Sequence, residues 1–211
     1  MENQNTKTLF PELSAFIRSL DENEKLISPE RRNTLEHISA FISNSIRKGK
    51  TVRLVFICTR NSARSLFAQA LAQAAAFWFG VDEVECYSGG IRATVASPQA
   101  VAGLRRAGFR VGIALKGKNP HYRLGFAEGE LPVIAFSKAF YSPVNPTEGF
   151  VAIMACEQAN EDCPYVPGAA LRLALPFTDP GFSDGSSEEK QVYDRCCRQV
   201  ATEMLYIFKA V

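Results

Sequence analysis

The chain has 211 residues, 46% of them apolar, and a formal net charge of +2 at neutral pH. That size suits one α/β domain with an appendage, and a near-neutral balance argues against a nucleic-acid binder, whose mark is a strongly basic face. No run approaches the ~18 uninterrupted apolar residues of a membrane span, and Met1 to Thr6 is too polar for a signal peptide, so a cytoplasmic protein is expected.

Residues 1–50 read as a helical hairpin. Leu9, Leu13, Phe16, Ile17 and Leu20 form one apolar stripe at helical spacing, and Leu35, Ile38, Phe41, Ile42 and Ile46 form another. Ser28-Pro29-Glu30 starts the second helix, with Ser as N-cap and Pro at the first helical position. No catalytic residue stands out here. The stretch is expected to pack on the main domain or to offer a contact surface.

From Thr51 strands and helices alternate, which places the boundary between a 1–50 extension and a 51–211 main domain. Val52–Cys58 reads as a buried strand, then Ala63–Phe79 as a helix with Gln69 and Gln73 on its polar side, ended by Gly80. Val84–Ser88 is a strand running into Gly89-Gly90. Ser97-Pro98 caps a helix that Gly108 stops. Further strands are expected at Val133–Phe136, Val151–Cys156 and Leu171–Leu175, and the Gly- and Pro-rich stretch 112–149 is read as mostly long loops. The last helix starts at a capping box, Ser186-x-x-Glu189, and turns Val192, Cys196, Val200, Met204 and Ile207 inward. The alternation implies a parallel sheet covered on both faces, with a site at the carboxyl ends of its strands.

Cys58-Thr59-Arg60-Asn61-Ser62-Ala63-Arg64-Ser65 lies at such an end, between a strand and a helix. A cysteine six residues before an arginine is common by chance when a chain holds six cysteines, so the context carries the reading. Strand, loop and helix start converge backbone N–H groups and the positive end of a helix dipole on one anion-sized space. The same surroundings favour a cysteine as thiolate, a nucleophile facing a tetrahedral oxyanion, which the Arg64 guanidinium matches fork to oxygen pair. Asn61 suits a left-handed turn position. Ser65 either donates to the sulfur or bonds its own backbone.

Asp179-Pro180, in a loop after the last strand, offers a mobile carboxyl that could reach this pocket and protonate a leaving group. Cys156 and Cys163 flank a segment of six residues. They suit a reversible disulfide, zinc ligation or plain loop cysteines; with only His37 and His121 to add, the ligand count for zinc is poor. Among the remaining cysteines, Cys86 and Cys196 look like core and Cys197 incidental. In a reducing compartment, cysteines are more often free, catalytic or metal-bound than structurally paired.

Phe56-Ile57-Cys58-Thr59-x-Asn61-Ser62-x-Arg64-Ser65, the Cys156–Cys163-Pro164 segment, Pro167-Gly168, and Asp179-Pro180 followed by Gly185-x-x-Glu188-Glu189-Lys190 together resemble the thioredoxin-coupled arsenate reductases of the low-molecular-weight tyrosine phosphatase superfamily. The likeness spans about residues 52–211. It implies a flavodoxin-like domain in which Cys58 attacks arsenate, Thr59 to Arg64 hold the oxyanion, and Asp179 protonates the departing oxygen. Cys156 would then attack Cys58 and Cys163 would take over Cys156, passing the disulfide to thioredoxin. No bound cofactor or metal is implied, since Gln69 stands where these reductases carry a Glu that helps bind potassium. Arg60 replaces a common glycine, which makes the loop mouth more basic or narrower. Ala63 replaces a frequent cysteine, and 118–149 exceeds the usual connection. The same loop also serves aryl phosphate hydrolysis through a phosphocysteine. A third reading is an inactive module that binds an oxyanion or a partner.

Overall fold

The computed structural model describes residues 8–211; residues 1–7, the start of the expected N-terminal unit, lie outside the described residues. The centre is a parallel sheet made of β1 (Val52–Cys58), β2 (Val84–Gly90), β6 (Phe150–Met154) and β7 (Ala169–Ala174), in the order β2-β1-β6-β7. Every β1 residue except Arg53 is buried, as a strand covered on both faces requires. Ile57 pairs with Met154, so the chain leaves both inner strands at the same sheet edge, from Cys58 and from Ala155. That edge carries the candidate chemistry.

Helix α3 (Arg64–Trp78) packs on β1, β2 and the C-terminal helix α6 (Glu189–Lys209). Its two glutamines do not face solvent. Gln69 Nε2 donates to the Cys86 carbonyl at 3.1 Å, while Gln73 Oε1 accepts from the Cys86 N–H at 3.1 Å and Gln73 Nε2 donates to the Val84 carbonyl at 3.3 Å. Both side chains thereby occupy backbone groups on the outer edge of β2, where no further strand pairs.

The expected caps at Ser28 and Ser97 are present, with Oγ accepting from Arg31 and Ala100 N–H at 3.2 and 3.3 Å. Helix α4 (Pro98–Arg106) stops at Gly108, whose φ of 105° suits glycine. A Cβ there would also lie 2.2 Å from the Leu13 backbone nitrogen, so the same glycine lets α1 (Pro11–Arg18) sit against the turn.

The N-terminal helix pair is α1 and α2 (Pro29–Ile46), joined by a 3-10 turn at Asp21–Leu26. Leu9, Leu13, Ile17, Leu20, Leu35, Ile38 and Ile42 are buried in the same hydrophobic cluster as the sheet, with Phe16, Phe41 and Ile46 half-buried against it. Helix α2 lies on α6: Arg31 donates twice to the Glu203 carboxylate, at 3.0 and 2.8 Å, and Ser39 Oγ donates to the Ile207 carbonyl at 2.8 Å. The core thus runs without a break across residue 50.

Four further expectations are corrected. Residues 112–149 are not mostly loop: β3 (Arg110–Leu115), β4 (His121–Gly125) and β5 (Val133–Ala135) form a separate antiparallel sheet. The strand expected at Val133–Phe136 is shorter, Val133–Ala135, and joins the antiparallel sheet by pairing with β4 rather than the parallel one. The last helix begins two residues later than the capping box demands. Its N-cap is Glu188, whose N–H donates to Ser186 Oγ at 3.3 Å, and the Glu189 carboxylate accepts from Gly185 N–H at 2.7 Å. Finally, Cys197 is buried, as Cys86 and Cys196 are.

Candidate active site

Cys58 ends β1 and Arg64 opens α3, and the five residues between them wrap a tight loop. Asn61 takes a left-handed φ of 48°, which turns its N–H back to Cys58 Sγ at 3.2 Å. Its side chain fixes a second donor. Asn61 Oδ1 accepts from the Lys138 N–H at 2.9 Å, which identifies the oxygen, and Nδ2 donates to Ser65 Oγ at 2.8 Å. Ser65 Oγ, already accepting, lies 3.1 Å from Cys58 Sγ and has its own proton free for the sulfur. Ser65 thus serves the thiol rather than its own backbone. Two donors and a helix start converge on Sγ, an arrangement that supports negative charge there.

The loop backbone is braced from outside. The Cys58 and Thr59 carbonyls accept from Ile91 and Arg92 N–H at 3.0 and 3.1 Å, and the Ser62 carbonyl from Ser97 N–H at 2.9 Å. The Arg60 carbonyl accepts from Ser137 Oγ at 2.8 Å and Thr94 Oγ1 at 3.2 Å. Gly90 makes this closeness feasible: a Cβ there would lie 2.8 Å from the Asn61 nitrogen. Ala63 is buried as the N-cap residue of α3.

Arg64 carries the guanidinium into the mouth. Its Nη2 donates to Asp179 Oδ2 at 2.8 Å and its Nη1 to the Phe177 carbonyl at 3.5 Å. Arg60, half exposed, reaches the same carboxylate oxygen at 3.5 Å. Asp179 Oδ1 accepts from Gly181 N–H at 3.1 Å and so caps the 3-10 turn Pro180–Ser183. The loop after β7 therefore brings a carboxylate onto the arginine that an oxyanion would also claim.

Cys156 is placed beside the loop. It caps the short helix α5 (Glu157–Asp162), Sγ accepting from Ala159 N–H at 3.4 Å, and lies 3.4 Å from Thr59 Oγ1. Cys163 closes the same helix, half-buried, donating to the Tyr165 carbonyl at 3.3 Å. Burial pushes its thiol up, with the Arg172 charge opposing. Arg172 also ties α5 down, bonding Asn160 O and Oδ1 at 2.8 and 2.7 Å and the Cys163 carbonyl at 3.2 Å.

Sequence reasoning missed Thr94, Ser137 and Lys138, which brace the loop from chain segments that no motif marks; a Ser-Lys pair after a short apolar run carries no signal of its own. Among the described residues no group of three His, Cys, Asp or Glu side chains is arranged to hold a metal ion, and no helix is long and apolar enough to cross a membrane.

Residues 53–122 match the family model for low molecular weight phosphotyrosine protein phosphatase. The chain is 28% identical over 155 residues to an arsenate reductase of Bacillus licheniformis, covering 74% of the chain and 93% of that protein. It is 28% identical over 140 residues to an arsenate reductase of Bacillus subtilis, covering 66% and 82%. The fold matches a low-molecular-weight protein tyrosine phosphatase from T. tengcongensis with a TM-score of 0.52 at 17% identity, over 76% of this chain and 99% of the other. A low-molecular-weight phosphotyrosine phosphatase from Vibrio cholerae O395 matches with a TM-score of 0.51 at 12% identity, over 75% and 95%. The flavodoxin-like parallel sheet flanked by helices is thus the fold that these two phosphatases share with the chain.

Proposed function

We propose that the protein reduces arsenate to arsenite through Cys58, Cys156 and Cys163. The observation that carries this reading is the second thiol, held at a helix start and in contact with Thr59, the residue next to the nucleophile. The Cys58 thiolate attacks arsenic and displaces one oxygen, which takes a proton from Asp179 and leaves as water. Arg64 and the loop amides hold the remaining oxygens. The Cys156 thiolate then attacks the Cys58 sulfur: an S–S bond forms, the S–As bond breaks, and its electron pair stays on arsenic, which departs as arsenite. Cys163 attacks Cys156, frees Cys58, and leaves a Cys156–Cys163 disulfide that a thioredoxin-type dithiol reduces. Two thiols supply both electrons, so no cofactor enters. A reducing cytoplasm suits such a cycle.

A second reading has its own support: the thiol of Cys163, pushed up by burial, is a weaker thiolate donor than a relay prefers. Cys58, Arg64 and Asp179 would then act as nucleophile, clamp and acid on an aryl phosphate, with water hydrolysing the phosphocysteine. Arsenite formation with a thioredoxin-type reductant and hydrolysis of an aryl phosphate are to be measured on Cys58→Ser, Cys156→Ser and Cys163→Ser. The relay requires arsenite production to fall by at least ~10²-fold in all three, the scale of a lost covalent step. Parental arsenite output from Cys156→Ser would sink it. Hydrolysis that survives Cys156→Ser and disappears in Cys58→Ser is the phosphatase outcome, and neither activity in the parent leaves an oxyanion-binding module.

A further inference from the structure

Behind the loop brace lies a cavity of about 620 Å³, between the glutamine-covered edge of β2 and the β4–β5 hairpin. Two polar side chains in its wall are nearly fully buried, Lys138 at 6% exposure and Asn145 at 5%. Asn145 Nδ2 donates to the Ser88 and Phe140 carbonyls, both at 3.0 Å, whereas Oδ1 has no partner among the described residues. The Lys138 ammonium sits 4.6 Å over the Phe136 ring and, among the described residues, makes no ion pair. A buried acceptor without a donor and, beside it, a largely buried cation without a counter-charge among the described residues are costly unless something supplies both. Burial alone moves the amine down to about 8, the response of a cation that lacks a counter-charge.

The rest of the wall narrows the occupant. Val133, Phe136 and Val144 supply apolar surface. The other titratable groups facing the space are Glu85, Cys86 and Tyr87 from β2, His121 from β4 and Glu130 from the β4–β5 turn. Two of these are carboxylates, which disfavours a multiply charged anion and leaves room for one negative charge on the single lysine. We propose that this cavity binds a small organic acid with an apolar body, its carboxylate on Lys138 and an O–H or N–H group on Asn145 Oδ1. The occupant would be felt at the nucleophile. The backbone N–H of Lys138 holds Asn61 Oδ1 at 2.9 Å, and Ser137 holds the Arg60 carbonyl.

The test uses the full chain at pH 7, with inorganic phosphate added to occupy the oxyanion loop. The calorimetric probe is 4-(hydroxymethyl)benzoate, compared with 4-methylbenzoate, which lacks the donor, and 4-methylbenzyl alcohol, which lacks the charge. Saturable binding of the first is expected, at least about tenfold tighter than either control, since each control leaves one buried group unpaired. Lys138→Met should abolish binding and Lys138→Arg should keep part of it. Because a substitution so deep can disturb folding, the amine is also read in the unsubstituted chain: after reductive ¹³C-methylation, its Lys138 resonance should move on addition of the probe. No saturable binding, equal binding of all three compounds, undiminished binding to a folded Lys138→Met, a Lys138 resonance that does not respond, or displacement of the probe by phosphate would each overturn the proposal.

Discussion

The Cys58 loop and the Cys156–Cys163 helix meet at Thr59 and are built in opposite ways. Five residues from Cys58 to Ser62 receive bonds from Ile91, Arg92, Thr94, Ser97, Ser137 and Lys138, on two separate stretches of chain, and the two residues that bond the sulfur, Asn61 and Ser65, are fully buried. Helix α5 has six residues, of which only Ala159 is buried, and the clamp on its far half is one arginine. A nucleophile that must meet a tetrahedral anion at fixed geometry gains from a scaffold determined several times over. In the proposed relay, a thiol that passes a disulfide between partners would gain from a segment with few tethers, because local opening then costs little.

Gly90→Ala strikes the rigid partner hardest. Its Cβ would fall 2.5 Å from the Arg92 carbonyl oxygen and 2.8 Å from the Asn61 nitrogen, both backbone atoms that cannot swing aside. Turnover should drop by ~10²-fold or more, as misplacement of a nucleophile by about 1 Å does, and thermal melting should fall with it. Parental turnover in this variant would show that the loop tolerates slack.

Next in size is Lys138→Met, which removes the buried amine while keeping the backbone brace. The amine's folded value of about 8 lies below its ordinary 10.5, so the unfolded chain holds the proton more tightly. Below pH 8 the charged amine therefore lowers stability, and the deficit fades as the pH rises from about 8 to about 10.5, where both states become neutral. The methionine variant should be more stable at pH 7 by up to about 3 kcal/mol, because each tenfold loss of proton affinity on folding is worth about 1.4 kcal/mol. Urea denaturation of both proteins at pH 7 and pH 10 checks the sign, and a difference that does not shrink with pH contradicts it.

The smallest effect falls on the lightly tethered partner. Arg172→Met removes three hydrogen bonds to Asn160 and Cys163 and should cost about 1–2 kcal/mol locally. Amides of α5 should exchange about tenfold faster or more in hydrogen-exchange mass spectrometry, while those of the Cys58 loop keep the parental rate. Equal acceleration in both regions would erase the contrast between them.

Much of this contrast is readable in the chain itself. Asn61, Ser28, Ser97, Gly80 and Gly108 act through bonds and dihedrals within a few residues, and the uninterrupted apolar run of β1 reports burial on both faces. The antiparallel meander is not readable there, since β3 is almost wholly exposed and lacks the alternation that marks a half-buried strand. Gln69 and Gln73 look like a solvent face because nothing local reveals that the neighbouring strand ends the sheet.

The sequence alone determined the Cys58 loop, because its geometry follows from consecutive residues: an apolar strand, a left-handed asparagine, an arginine and a serine at a helix start. Only the tertiary structure decided which distant groups complete it. Asp179 on Arg64, Cys156 against Thr59, and Lys138 between the loop brace and a half-apolar cavity are neighbours solely because β1, β6, β7 and the small antiparallel sheet converge there. Local dihedrals and caps are written residue by residue, whereas contacts between segments a hundred residues apart depend on how the sheets pack.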